Sequence, residues 1–365
     1  MSLTLSGRIA LGGNLSLKTM PTPPPALAIT FTTPTVITDA GPGQLRAITV
    51  NNSDRFVSVG YLGGSAYPLY STSTDGSNWN VPAIMNNSSN VAPMSGVAVN
   101  SSGLFVAVGT ILGNYAVYST SSDGSTWIEP TLMNGVSTVA VFNSITVNST
   151  GLFVAVGFNG SNQSMFSTST NGSNWITPIP MFTSTIIQYG MKSIAVNSAG
   201  KFVAVGYDYY GKSYYSTSTD GSTWTEPALM NGSTSPSFMA AITVNSSGRF
   251  VAVGNNSGSY SGYPMYATST NGTTWTSPMA VGTNLGDFKT ITVNSSGVFV
   301  AAGWNNNQYP IYATSTNGIV WSDTSLMNGY NAAYCNITCI GVNSAGTFVA
   351  LGFNITGVPL YAIGT

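Results

Sequence analysis

AITVNNSDRFVSVG at residues 47–60 returns six times: GVAVNSSGLFVAVG (96–109), SITVNSTGLFVAVG (144–157), SIAVNSAGKFVAVG (193–206), AITVNSSGRFVAVG (241–254), TITVNSSGVFVAAG (290–303) and CIGVNSAGTFVALG (339–352). The closing glycines Gly60, Gly109, Gly157, Gly206, Gly254, Gly303 and Gly352 stand 49, 48, 49, 48, 49 and 49 residues apart. So even a spacing leaves no room for a second domain inside the array and marks a repeat architecture. Each copy reads as two strands and a turn. β-branched and aromatic residues favour strands, and Asn-Ser-Ser-Gly turns the chain because Gly accepts a positive φ. FVAVG is apolar on both faces, as a strand must be when its sheet is covered on both sides.

A third strand follows each copy after a variable loop, carrying an aromatic at Tyr70, Tyr118, Phe166, Tyr215, Tyr266, Tyr312 and Tyr361. Six copies then turn through Ser-x-Asp/Asn-Gly-x-x-Trp into a fourth strand, ending at Trp79, Trp127, Trp175, Trp224, Trp275 and Trp321. Four strands in a unit of this length match the blade of a propeller, whose repeats run to ~40–50 residues. The expected fold is all-β: a seven-bladed β-propeller of four-stranded antiparallel blades.

The seventh unit stops at Thr365 without its fourth strand. TFTTPTVIT (30–38) aligns with TWTEPALMN (223–231): Phe31 falls on Trp224, Pro34 on Pro227, and Val36 and Ile37 on Leu229 and Met230. The N-terminal strand is therefore expected to close the ring as the outer strand of the last blade. Closure removes two sheet edges that would otherwise template association. Residues 30–365 form the expected propeller. Residues 1–29 form an attachment segment whose PTPPP (21–25) is a stiff, extended linker.

Of the 365 residues, 43% are hydrophobic but only 5% are charged, against about a quarter in typical domains. An aromatic content of 11% separates the chain from disordered sequences. Nine Lys and Arg against ten Asp and Glu give a net charge of −1, and no Lys or Arg falls between Arg55 and Lys192. A nucleic-acid backbone needs clustered cations, so no nucleic-acid partner is expected. No run approaches the ~20 apolar residues of a membrane span. The opening MSLTLSGRIALGGNLSLK lacks the basic start and continuous apolar stretch of a Sec signal peptide. Cys335 and Cys339 are too few for a disulfide framework. Without any His or a second Cys pair they make no metal site. They read as two free thiols or a minor local disulfide.

The turns at Ser73, Asp75, Gly76 and Trp79, and at Ser121, Asp123, Gly124 and Trp127, resemble the Asp box of sialidases and related propellers. Asn171, Asp220, Asn271 and Asn317 hold the acidic place in the other four. The spacing from Asp to Trp is one residue shorter than in the usual sialidase form, and Asn replaces Asp in three copies. The resemblance implies architecture over residues 30–365. At these positions a short side-chain acceptor caps turn amides, Gly permits the tight geometry, and Trp packs between blades. A calcium loop would need several more carboxylates per turn, so no metal and no cofactor are expected.

Sialidase chemistry, as the resemblance implies it, needs three arginines around a substrate carboxylate. The arginines are Arg8, Arg46, Arg55 and Arg249, and Arg55 and Arg249 hold the same hairpin position in different blades. The catalytic set does not carry over. Without His there is no Ser-His dyad. Glycoside hydrolysis needs two carboxylates about 5–10 Å apart. Glu129 and Glu226 occupy equivalent strand positions two blades apart, and Asp208 and Asp287 fall in variable loops. A non-enzyme is expected.

The loops between second and third strands differ in every blade: YLGGSA, TILGNYA, FNGSNQS, YDYYGKS, NNSGSYSG, WNNNQ and FNITG. Such loops on a rigid scaffold are where binding residues gather. Tyr, Trp and Asn suit carbohydrate, with rings stacking on sugar faces and amides bonding hydroxyls. The candidates are Tyr61, Tyr115, Asn162, Tyr207, Tyr209, Tyr210, Tyr260 and Trp304. Tyr61, Phe158, Tyr207, Trp304 and Phe353 directly follow the closing Gly, a regularity that favours packing between blades. Tyr209, Tyr210 and Tyr260 break the pattern and suit a surface role.

The Leu-Ser-Gly-x-Ile-x-Leu-Gly-Gly opening (5–13) resembles the start of some tailed-phage virion proteins, and the FVAVG and YSTSTDGSTW repeats resemble those of phage and bacterial appendage proteins. The resemblance implies a virion or extracellular surface appendage. In it the propeller would bind a host glycan or receptor in tail-fibre fashion, and residues 1–29 would join other subunits. The alternative is a structural decoration or assembly protein; a glycan-cleaving enzyme ranks third.

Overall fold

The computed structural model describes residues 29–135, 139–182, 189–231, 236–257, 262–329 and 334–365; the expected attachment segment up to residue 28 and the candidate Tyr260 lie outside them. Seven antiparallel sheets of four strands each make up the molecule. In blade 1 the strands are Gly43–Val50, Phe56–Leu62, Pro68–Ser73 and Ala83–Ile84, paired in chain order. The first strand of every blade touches the first strands of both neighbouring blades, the seventh returning to the first. First strands thus surround the axis, and the sheets form a closed ring.

Closure occurs where the repeat alignment puts it. Thr35–Val36 pairs antiparallel with Pro359–Gly364, in the register Thr35 to Tyr361 and Val36 to Leu360, and Phe31 bridges Gly364. Phe31 is buried, its ring 4.8 Å from that of Tyr312 in blade 6. Elsewhere the third-strand aromatic meets the turn Trp of the next blade, as Tyr70 meets Trp127 at 6.3 Å and Tyr118 meets Trp175 at 6.2 Å. Phe31 therefore fills the Trp place of blade 7. The seam carries a second tie. In the first hairpin Asp54 stands where the other six have Gly, with φ of 58°, and its carboxylate accepts bonds from the amide (2.8 Å) and hydroxyl (2.6 Å) of Ser344 in blade 7.

One feature of each blade shapes the axis. The innermost strands slip register against the second strands, at Leu45/Ala47, Met94/Gly96, Phe142/Ser144, Met191/Ser193, Met239/Ala241, Phe288/Thr290 and Ile337/Cys339. Each slip is a β-bulge that inserts one unpaired residue. The closing glycine of the repeat lies opposite. A Cβ there would stand 1.8 Å from the Gln44 carbonyl oxygen at Gly60, 2.1 Å from that of Gly190 at Gly206, and 1.9 Å from that of Asp287 at Gly303. The glycine recurs because the bulged backbone occupies the space of a side chain.

Candidate functional site

The inserted residues are Arg46, Ser95, Asn143, Lys192, Ala240, Lys289 and Thr338. All seven line one cavity of about 240 Å³ on the axis. Two residues further along each strand, Ile48, Val97, Ile145, Ile194, Ile242, Ile291 and Ile340 line its apolar part. Strand direction tells which rim the cavity faces. Gly43 pairs with Leu62 and Val50 with Phe56, so the bulge lies toward the variable loops and away from the Asn-Ser-Gly hairpins. Those hairpins lie with the Ser-x-Asp/Asn-Gly turns at the other rim: Arg55 donates to Ser125 Oγ (2.6 Å) and Lys201 to the Asn271 carbonyl (2.7 Å), each in the next blade.

Three of the nine Lys and Arg of the chain therefore converge on the channel mouth. Each stands over aromatic rings: Arg46 is 5.0 Å from the Tyr61 centroid, Lys192 is 4.9 Å from Phe158 and 5.1 Å from Tyr207, and Lys289 is 5.0 Å from Trp304. Such ring faces attract cations electrostatically. Arg46 also donates to Gln44 Oε1 and Tyr61 Oη, both at 2.8 Å, and Lys289 pairs with Asp287. No carboxylate pairs with Lys192 among the described residues. Burial, and then repulsion from Lys289, lower the Lys192 pKa. Burial raises the Asp287 carboxyl against the opposing pull of Lys289, and burial followed by the charge of Asp287 raises Tyr207. With Asp287 ionised the mouth carries an excess of two positive charges (3 − 1).

The sequence reading put Asp208 and Asp287 in variable loops. Both instead belong to strands, Phe202–Asp208 and Gly286–Val293, and both are buried. Asp208 Oδ1 accepts the Lys212 amide at 2.8 Å and holds the turn between them.

Tyr209 and Tyr210 occupy that turn, 84% and 73% exposed, with rings 5.6 Å apart and nearly perpendicular. Beside them a pocket of about 130 Å³ is lined by Asn162, Gly190, Lys192, Tyr207, Asp208 and Tyr209. Three sequence candidates, Asn162, Tyr207 and Tyr209, thus come together around Lys192. Tyr61 and Trp304 stand by the axis beneath Arg46 and Lys289. Tyr115 of blade 2, bridged to Val139 just ahead of blade 3, lines neither cavity. The aromatics after the closing glycine were expected to pack between blades. Tyr207 does so, 5.0 Å from Phe238 of blade 5, but Tyr61, Phe158, Tyr207 and Trp304 also back the cations. Sequence reasoning missed Arg46, Lys192 and Lys289 as a set. The signal is the alignment column just before each 14-residue repeat, which reads Arg, Ser, Asn, Lys, Ala, Lys, Thr.

At the opposite rim, Asp75 Oδ1 accepts the Ser77 and Asn78 amides at 2.8 Å, Ser73 Oγ accepts the Gly76 amide at 2.8 Å, and Trp79 Nε1 donates to the Gly76 carbonyl at 2.8 Å. Asp123, Asn171, Asp220, Asn271 and Asn317 accept the equivalent amide pairs at 2.6–3.0 Å. One oxygen does this in Asp and Asn alike, so the turn needs no charge. Cys335 and Cys339 are free and buried, their thiols pushed up to about 12 by burial. Among the described residues no group of three or more His, Cys, Asp or Glu could hold a metal ion, and no helix is long and apolar enough to cross a membrane.

No known protein family and no curated protein sequence matches the chain. Among solved structures it is similar to YCF48 bound to D1 peptide, with a TM-score of 0.61 and 15% identity over 94% of this chain and 99% of that one. It is also similar to the BP39L lectin from Burkholderia pseudomallei, with a TM-score of 0.65 and 12% identity over 87% and 95%. At such identities the likeness is one of fold.

Proposed function

We propose that this chain is a non-catalytic recognition module of a virion or surface appendage that binds host glycans through its variable rim. The observation that carries the reading is the exposed Tyr209–Tyr210 pair beside the pocket shared by Asn162, Tyr207 and Lys192. Large rings standing in solvent on a tied turn offer stacking faces at little ordering cost, and the Asn162 amide offers both a donor and an acceptor to hydroxyls. One structural neighbour is named a lectin and another was solved with a peptide bound, which is compatible with a binding role for this fold. The virion setting rests on the resemblance of the opening residues 5–13 to tailed-phage virion proteins and of the FVAVG and YSTSTDGSTW repeats to phage and bacterial appendage proteins.

The chemistry of the mouth speaks for binding rather than turnover. Asp287 is engaged by Lys289, Asp208 holds a turn, and among the described residues no carboxylate lines the axial cavity. The paired acids of a glycosidase have no counterpart there.

A second reading, a decoration or assembly subunit, draws on the same two rings, because Tyr is enriched at protein interfaces. A glycan array with the intact protein separates them. Binding that Tyr209→Ala plus Tyr210→Ala abolishes, with an unchanged melting temperature, supports the glycan reading. A protein blind to every glycan, together with an image of the native particle in which neighbouring subunits cover the variable rim, selects assembly.

A further inference from the structure

We infer that the channel mouth is an acidic-sugar subsite, where Lys192, supported by Lys289 and Arg46, receives the anionic group of a single sugar unit whose ring lies toward Tyr207 and Tyr209. This rests on the glycan-binding reading of the rim and adds to it a class of sugar.

Placement is the main ground. Lys192 lines both the axial cavity and the rim pocket. A ring held against Tyr209 and Asn162 would therefore lie next to the Lys192 ammonium. The second ground is charge. A chain with only 5% charged residues has gathered three of its nine cations around one axis, where they repel one another. Lys289 is offset by Asp287, and Arg46 spends part of its donor set on Gln44 and Tyr61. Lys192 has no ion pair among the described residues and lies against the Phe158 and Tyr207 rings, which attract a cation without neutralising it. Its lowered pKa has the direction expected of a partly buried ammonium short of a counter-charge.

Size and lining fix the class. The rim pocket beside Tyr207 and Tyr209, about 130 Å³, and the axial cavity it meets at Lys192, about 240 Å³, each fall below the ~300–1,000 Å³ of pockets that enclose drug-sized ligands, which suits one ring rather than a chain of them. Between the cations the mouth presents Ser95 together with Asn143 and Thr338, whose Nδ2 and Oγ1 donate to the Met191 and Leu45 carbonyls and which keep their side-chain oxygens as acceptors for sugar hydroxyls. A uronic acid and a sulfated sugar share this chemistry, and the test separates them.

Calorimetric titrations of the intact chain should use methyl galactoside, methyl galacturonoside, galactose 6-sulfate, sodium acetate and a short peptide with a free C-terminal carboxylate. One acidic sugar should bind at least tenfold more tightly than the neutral galactoside, and that preference should shrink as ionic strength rises from about 0.05 to about 0.5 M. Lys192→Met should erase the preference. Ser95→Glu, which adds a carboxylate to the mouth, should erase it too and guards against a folding defect in the first variant. Whichever acid binds better, carboxylate or sulfate ester, identifies the source. An acidic sugar no tighter than galactoside, a preference that survives Lys192→Met and Ser95→Glu, or acetate or peptide binding as tightly as the sugar would each overturn the inference. Galactoside binding that is lost with Tyr209→Ala plus Tyr210→Ala but shows no anion preference leaves the glycan reading standing and removes only the subsite.

Discussion

Replacing Gly206 with Ala strikes the bulge that projects Lys192 into the channel. The added Cβ would stand 2.1 Å from the Gly190 carbonyl oxygen and 2.9 Å from its carbon, both main-chain atoms. Relief to 3.0 Å, about the closest approach real Cβ atoms make, requires some 0.9 Å of movement (3.0 − 2.1). Overpacking usually costs about 1–3 kcal/mol, because side chains can shift to absorb it. Here backbone meets backbone, and Met191 and Val205 on either side are fully buried, so the cost should reach about 3 kcal/mol or more. At roughly 2 °C per kcal/mol for a large domain, the melting temperature should fall by at least about 5 °C. Urea denaturation followed by Trp fluorescence measures the change, with Gly41→Ala as the control. A Cβ at Gly41 meets nothing within 4 Å, and that variant should stay within about 0.5 kcal/mol of the parent. If the two variants unfold together, the bulge does not explain the repeated glycine.

Phe31→Ala removes a buried ring from the last blade's seam with Tyr312; it should cost about 3–5 kcal/mol, and a loss below about 1 kcal/mol would deny that the strand completes the ring. Acid should weaken the turns selectively. The amide and side chain of Asn78 are the main cause holding Asp75 at about 2; for Asp123 partial burial pushes upward, but the Thr126 and Ser125 amides and nearby hydroxyls outweigh it, again giving about 2. Both native values lie below the ordinary 3.8, so the stabilisation is complete above about pH 4 and drains away as pH falls toward about 2. Changing Asp75, Asp123 and Asp220 to Asn should therefore flatten the melting temperature over that window; parallel losses in parent and variant would contradict the assignment. Cys335 and Cys339 should resist a thiol reagent at pH 8 in the folded chain and react fully in urea, whereas rapid native labelling would refute their burial.

Most of the fold was legible because each blade repeats the same solution. Gly60 and its six counterparts set the blade number, and the match of Phe31 to Trp224 marks the closing strand in the sequence itself. The mouth was not legible, for a physical reason. A bulge inserts one residue whose side chain faces the axis, and nothing about Arg46, Lys192 or Lys289 taken singly signals that direction. They lie 146 and 97 residues apart (192 − 46 and 289 − 192), and only ring closure makes them neighbours. The regularity of Tyr61, Phe158, Tyr207 and Trp304 was visible, but a constant aromatic serves inter-blade packing and cation support equally well. Asp287 reads as a loop residue because it lies outside the repeated motif, whereas the innermost strand begins pairing at Gly286, ahead of that motif.

Ring closure carries the whole account, since it alone brings the seven bulges to one axis. Val36 and Leu360 face each other across the closing strand pair; Ile37 donates to the Pro359 carbonyl next to them, which makes them a non-hydrogen-bonded pair with Cα atoms about 4.5 Å apart, within disulfide range. Val36→Cys plus Leu360→Cys, oxidised and analysed by intact and peptide mass spectrometry, should give a monomer with one bond between these positions and a higher melting temperature than its reduced form. Thiols that stay free in the folded protein, or that join two chains instead, would contradict closure.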